Sequence, residues 1–548
     1  MKVFEQILKE NNEFKKILSC IKLGIRPISI TGVSTIHKSS IIHSVCKENL
    51  KKALIITADE LEAQTMCKDL CEMGTKAIFF PYRDFCFRNV EGKSKEYELK
   101  RISVLKSIVD GDFDAVITCC DAALQSVIPK FKLKESIFKL KSSMEISTSQ
   151  LAEKLLRCGY ERSEQVEGIG QFSVRGGIFD IFPPKSPSPI RLEFFGDKID
   201  TMSYFNIETQ RRTNVISSFE VTPASEVLVS DKDRLIRDVR YLAEKLKNKN
   251  EKLSSNLILD AEKLSSNVNI SNLDKYINLI YEDNSCIFDY FSSENLIFVS
   301  EQVKIKEHLK SYFIQFTEDI KIYLEEGIIC KELGDYSKDT EYFKNELLSR
   351  QVLCMDTFAS NNYIVVPKDI LNISAYAIPV WRGELSNLYD DVRSFLDSEK
   401  GCLILSGTEK FAKSVCYNLQ DKGINARLSL DCDKVMPGEV VVSSGGLSSG
   451  FRFEDSKIVV ISHGQGVSGS KKRSVKKASK GISNLSELKK GSYVVHATHG
   501  IGMFMGIHRL SMNGVTKDYI KLSYDKGDTL YVPVTQMDMV SKYVGTKD

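Results

Sequence analysis

At 548 residues the chain is too long for one hydrophobic core, so three to five domains are expected. An apolar share of 42% and a charged share of 27%, with no run of eighteen apolar residues, exclude a disordered chain and argue against a membrane-spanning helix. The formal charge of +3 is close to balance, so affinity for nucleic acid has to come from local patches, and no membrane partner is expected.

The first stretch, "MKVFEQILKENNEFKKIL", is charged and amphipathic, without the apolar core of a secretion signal. Fourteen cysteines are scattered from Cys20 to Cys432 without a C-x-x-C pair, which reads as buried free thiols in a reducing cytoplasm. His496, His499 and His508 crowd the C-terminal end, but hairpin-scale spacing and the lack of a nearby cysteine predict no metal.

Residues 1–125 alternate apolar strands ("RPISIT", "ALIITA", "AIFFP", "DAVITCC") with helices, which predicts a parallel α/β sheet. Residues 126–212 change to short strands with turn residues between them ("IFDIFPP", "IRLEFFG", "TMSYFNI"), a smaller β-rich module. Residues 213–340 carry polar helices around the apolar run "NLIFVS", read as a return to the first sheet. Residues 341–465 hold a second small α/β unit with "GCLILSG", "EVVVSSG" and "KIVVISH". Residues 466–485 are rich in Gly, Ser and Lys, with six basic residues between 471 and 480, which predicts a flexible basic linker and offers a weak contact to DNA. Residues 486–548 finish in glycine-punctuated short strands, which predicts a compact β-barrel.

One motif looks damaged. In "SITGVSTIHKSSII", Gly32, Lys38 and Ser39 stand at the spacing of a phosphate-binding loop, but His37 occupies the second glycine position. That glycine lets backbone N–H groups approach the phosphates, a geometry a side chain blocks. An ATPase also needs a magnesium-holding carboxylate at the end of an apolar strand, and in "LIFVSEQ" Ser300 stands there, before Glu301. Two departures in two halves of one site predict a chain with no catalytic residues, no bound nucleotide and no metal. No G-x-S-x-G or H-E-x-x-H motif offers another chemistry.

From Gly168 to Arg212, the order of Phe172, Arg175-Gly176-Gly177, Asp180, Phe182-Pro183, Arg191, Glu193-Phe194-Phe195-Gly196 and Glu208-Thr209-Gln210-Arg211 closely resembles a module shared by the excision-repair protein UvrB and the transcription-repair coupling factors. The stretch "LKKGSYVVHATHGIGMFMGI" with "DYIKLSYDKGDTLYVPVTQMDMVSKYVG" is similar to the RNA-polymerase-interacting domain of the coupling factors, a Tudor-like barrel related to the CarD family, which UvrB lacks. The resemblance implies a degenerate UvrB-like domain in two parts (1–125 and 213–340) around an inserted UvrA-binding domain (126–212). A family-specific α/β domain, the linker and the barrel then follow.

By that resemblance, Arg175, Arg191 and Phe195 would bind UvrA, with Arg191 and Phe195 on one face of a strand. Charge reversal at Arg191 is then expected to weaken UvrA binding without lowering the melting temperature. Ile507, His508, Arg509 and Leu510 would contact the β subunit of RNA polymerase. The aromatic-rich hairpin that UvrB inserts into DNA has no counterpart after "FFPYRDFCFRNV", and "ISHGQGVSG" lacks the acidic residue and aromatic usual in the family. The family's translocase domains, with their ATP, magnesium and main DNA contacts, have no motifs in this sequence, so a polymerase- and UvrA-binding platform is expected. The alternatives are a UvrB-like ATP-dependent damage-loading enzyme and a CarD-like transcription regulator.

Overall fold

Seven parallel strands form the central sheet, in the order Asp369–Asn372, Ile28–Thr31, Gln351–Asp356, Leu296–Ser300, Ala53–Thr57, Ala115–Cys119 and Ala77–Phe80. Most of these segments are near-continuous apolar runs because helices cover both faces, and Ile28–Thr31 and Ala53–Thr57 are buried throughout. The computed structural model describes residues 2–85, 87, 95–266, 272–281, 284–381, 385–464, 490–496, 500–512, 515–524, 529–533 and 540–542. These fall into two units, 1–466 and 467–548. The expected linker at 466–485 lies outside the described residues.

The strand pairing moves three expected boundaries. Gln351–Asp356 and Asp369–Asn372 flank Ile28–Thr31 in the first sheet, so that domain runs past 340 to about residue 373. The β-rich module begins at Phe138–Lys141, which pairs antiparallel with Ser218–Val221, rather than spanning 126–212. Val127, Ile128 and Leu133, placed in the module by the sequence reading, sit in the core of the first sheet. The change of strand direction was legible; the connecting helix Lys130–Ser136 carried no signal of its side.

The module itself is a six-stranded sheet, Arg212–Val215, Lys198–Phe205, Ile190–Phe195, Ile178–Ile181, Gln171–Arg175 and Glu161–Arg162. Helix Thr148–Arg157 packs beside it, started by a capping box between Ser147 and Gln150 and anchored through Leu151 and Leu155. Gly176 (φ +59°) and Gly196 (φ +61°) open the two-residue turns after Arg175 and Phe195, where a left-handed first position favours glycine.

A third sheet, Ala375–Ile378, Gly450–Phe453, Ile458–Ser462, Gly401–Leu405, Val440–Ser443 and Ala426–Leu428, completes the first unit. It shares a core with the first sheet: Ile30, Leu353 and Met355 pack in one cluster with Leu403, Phe451, Phe453 and Val460. Buried Asp69 strengthens the seam by accepting hydrogen bonds from the Ser448 N–H (2.7 Å) and hydroxyl (2.6 Å). The second unit is a five-stranded antiparallel sheet ordered Thr529–Pro533, Val515–Ser523, Gly500–Met512, Tyr493–His496 and Val540–Lys542. No described helix is long and apolar enough to cross a membrane.

Candidate functional site

The two halves of the damaged nucleotide motif do meet. Strand Ile28–Thr31 leads through Gly32 into helix Thr35–Asn49, and the Lys38 ammonium, 262 positions away in sequence from Ser300, donates to its hydroxyl at 3.0 Å. It also donates to Glu301 Oε1 at 2.5 Å, with Glu62 Oε1 at 4.0 Å. The Lys38 side chain is 1% exposed. Burial alone would raise the Glu301 pKa, but the Lys38 charge beside it holds it below the usual carboxylate value. The same Glu301 oxygen accepts from the Thr357 N–H (3.0 Å) and hydroxyl (2.5 Å), and Ser300 donates to Glu62 (2.7 Å).

This donor set does not fit a magnesium nucleotide. The ammonium that would hold the β- and γ-phosphates is paired with a protein carboxylate, and the Ser39 hydroxyl that would reach magnesium donates back to Thr35 O at 3.1 Å. The cradle is closed too. Gly32 (φ +84°) has Ile373 O 2.4 Å from where a Cβ would stand, so the chain crosses directly over the loop. The His37 ring, fixed by Ser34 Oγ to Nδ1 at 2.8 Å, lies edge-on to Phe453 (5.3 Å) and Phe451 (5.9 Å) of the third sheet. Burial lowers its pKa to about 4, so the ring is neutral near pH 7.

The β-rich module offers a different kind of site. Cross-strand register puts Ser173, Asp180, Arg191 and Ser203 in one row and Arg175, Ile178, Glu193 and Thr201 in the next, on the face turned from the core. Arg191 and Phe195 share that face, in keeping with their four-residue spacing, and Phe195 is 83% exposed. Asp180, fully buried, is the pivot: it accepts from Arg191 Nε at 2.7 Å and Nη2 at 2.8 Å, and from Arg175 Nη2 at 2.8 Å. Arg191 also donates to Gln210 O (3.1 Å) and Oε1 (2.9 Å) and lies over the Phe205 ring, leaving its side chain 11% exposed. The expectation that charge reversal at Arg191 spares stability is therefore corrected, because a carboxylate there would face buried Asp180. Arg175, 45% exposed at the side chain, and Phe195 are the accessible members of the trio.

In the second unit, Ile507 to Leu510 lie on strand Gly500–Met512; their side chains lie outside the described residues. The backbone of this part of the strand pairs with Val515–Ser523, Leu510 opposite Lys517. On its other side, Tyr493–His496 covers only Gly500 to Met503, so from Gly506 onward that edge has no strand partner among the described residues. A bulge at Phe504 to Gly506, with Gly506 at φ +110°, marks where the pairing changes.

Sequence reasoning missed the residues that close the nucleotide site: Glu62, Thr357, Ile373, Phe451 and Phe453. Only "GFRF", an apolar alternation after a glycine, hinted at a buried strand there, and nothing local pointed it at residue 37. Asp180 was visible in the motif, but not its hold on both arginines.

Two family profiles match the chain: the UvrB interaction domain over residues 138–227 and the CarD-like/TRCF RID domain over residues 488–544. The first match brackets the paired strands that begin at Phe138. Over its whole length the chain is similar to curated transcription-repair-coupling factors. It is 28% identical to that of Bacillus subtilis (strain 168) over 558 residues, covering 99% of this chain and 47% of the relative. It is 26% identical to that of Staphylococcus epidermidis (99% and 47%) and 26% identical to that of Staphylococcus aureus strain MRSA252 (100% and 48%). The chain thus spans about half the length of the curated relatives it matches.

Proposed function

We propose that this chain is the recruiting platform of a transcription-repair coupling factor, holding RNA polymerase through its second unit and UvrA through the outward face of the β-rich module. The observation that carries the reading is an exposed Phe195 beside an Asp180-braced arginine pair, inside the segment that matches the UvrB interaction domain. A rigid, accessible aromatic next to arginines is the usual make-up of an interface hot spot. The edge after Gly506, which has no strand partner among the described residues, supports the polymerase half, since a free strand edge accepts a partner strand through main-chain hydrogen bonds.

We also assign the chain no ATPase activity and no nucleotide cofactor in the phosphate loop. Lys38 bonded to Glu301, and the cradle covered by Ile373 and Phe453, support this. ATP, magnesium and movement on DNA would belong to the remaining length of a full-size relative. The thirteen described cysteines are all free and eleven of them, all but Cys67 and Cys71, are buried, which suits a reducing cytoplasm.

Retention of purified UvrA and RNA polymerase on the immobilised chain tests the platform. Phe195→Ala is expected to weaken UvrA retention about tenfold or more with an unchanged melting temperature and unchanged polymerase retention. Leu510→Arg is expected to do the converse while circular dichroism shows a folded chain. UvrA retention equal to wild type in Phe195→Ala would remove the module's assigned role.

A further inference from the structure

A cleft of about 650 Å³, lined by none of the residues of the two candidate sites, opens on the first unit between the start of helix Lys130–Ser136, the segment around Asp289, and the start of helix Thr340–Ser349. Lys130, Lys134 and Lys338 line it, against one carboxylate, Asp289. None of the three lysines has a carboxylate partner among the described residues. Lys130 donates to Tyr290 O at 2.8 Å, and Lys338 lies 5.3 Å from the Tyr342 ring. Asp289 is occupied by the Cys286 N–H at 2.8 Å. Two rings join the lysines at the wall: Tyr342, and Phe131, which is half-exposed. Burial and the neighbouring Lys134 charge lower the Lys130 pKa, as expected where like charges converge without an anion.

We propose that this cleft binds a phosphate-bearing nucleotide, free or within a single-stranded nucleic acid, with Lys130, Lys134 and Lys338 on the phosphates and Phe131 and Tyr342 against a base. Three observations favour this chemistry over an acidic peptide. Lysines are point charges suited to phosphate oxygens, and no arginine fork lines the cleft to grip carboxylates two-pronged. Accessible rings beside a basic groove are how single strands are held without sequence preference. The volume lies in the range of small-ligand sites, enough for one nucleotide. The site is separate from the closed phosphate loop, whose Lys38 is buried in another part of the first sheet's fold.

Fluorescence anisotropy of the full chain with a labelled single-stranded DNA of about twelve nucleotides, and in parallel with a fluorescent ADP analogue, tests the proposal. Lys130→Ala/Lys134→Ala/Lys338→Ala is expected to weaken binding about tenfold or more and to flatten the slope of log affinity against log salt by about 2, for three lost phosphate contacts on a single strand. Phe131→Ala is expected to weaken binding as well. A control triple, Lys22→Ala/Lys68→Ala/Lys252→Ala, removes the same charge from exposed positions elsewhere and is expected to bind as wild type; it also keeps the basic run at 471–480 constant. Because Lys130 holds Tyr290 O, the double variant Lys134→Glu/Lys338→Glu repeats the test with that bond intact. Binding of the ADP analogue alone would identify a free nucleotide as the ligand, and binding of the strand alone a nucleic acid. Absence of binding by both probes, or equal losses in the cleft and control triples, would overturn the proposal.

Discussion

His37 and Lys38 sit where a nucleotide-binding chain keeps a glycine and a phosphate-holding lysine, and here both are buried and bonded within the protein. Breaking the buried Lys38–Glu301 pair leaves an uncompensated charge, so Lys38→Met is expected to cost about 3 kcal/mol in urea unfolding. Lys38→Met/Glu301→Gln, which removes both charges, should recover much of that. In a working phosphate loop the lysine faces a ligand, and its loss would leave stability nearly intact. The neighbouring histidine sets a pH dependence. Burial lowers the pKa of His37 and of His43 from 6.5 to about 4, so between those values the unfolded chain binds more protons than the folded one. Stability is therefore full above about pH 6.5 and falls as pH drops toward 4, by about 2 kcal/mol per histidine between pH 7 and pH 5. Chemical unfolding at the two pH values checks this, and His37→Phe should remove about half of the histidine-dependent loss.

On the scale of single elements, strand Ile190–Phe195 carries a firmly held residue and an exposed one on the same face. Arg191 is held by Asp180 and Gln210, while Phe195 stands free at the strand's end beside the Gly196 turn. Arg191→Glu is expected to lower the melting temperature by several degrees, a loss of about 3 kcal/mol or more from facing buried Asp180 with a second carboxylate. Arg191→Lys, which keeps the charge but not the fork, should fall between that and wild type. Thermal unfolding of the three proteins decides it, and any loss of UvrA retention by Arg191→Glu must be read against that loss of fold. The alternation that sets this face was legible in the sequence, because the strand period of two is local. So were the parallel strands of the first sheet, as apolar runs between helices. The strands Gln351–Asp356 and Asp369–Asn372 were assigned to the wrong domain, since which sheet an apolar run joins depends on partners hundreds of residues away. The closure of the phosphate loop was legible only as damage at His37 and Ser300; its cause, the crossing at Ile373 together with Phe451 and Phe453 of the third sheet, was not.

Across the whole first unit, the third sheet works as a plug for the first. Phe451 and Phe453 come from strand Gly450–Phe453, yet they pack in the cluster that contains Ile30, Ile41, Leu353 and Met355, against the ring of His37. The same seam carries the Asp69–Ser448 bonds and a backbone bond from Val3 N to Cys432 O. A core shared in this way couples the two sheets, because an empty volume on one side removes packing contacts from both. Phe453→Ala is therefore expected to destabilise the unit by about 3–5 kcal/mol. The test of coupling is hydrogen exchange followed by peptide. Segments covering Ile28–Thr31 and helix Thr35–Asn49 should gain exchange together with segments covering Val440–Ser443 and Ile458–Ser462. Peptides of the β-rich module, whose core around Phe172, Phe179 and Leu192 contains none of these residues, should change less. If only the third sheet's peptides respond, the two sheets open independently, and the phosphate loop is covered by a detachable lid instead of being built into a common core.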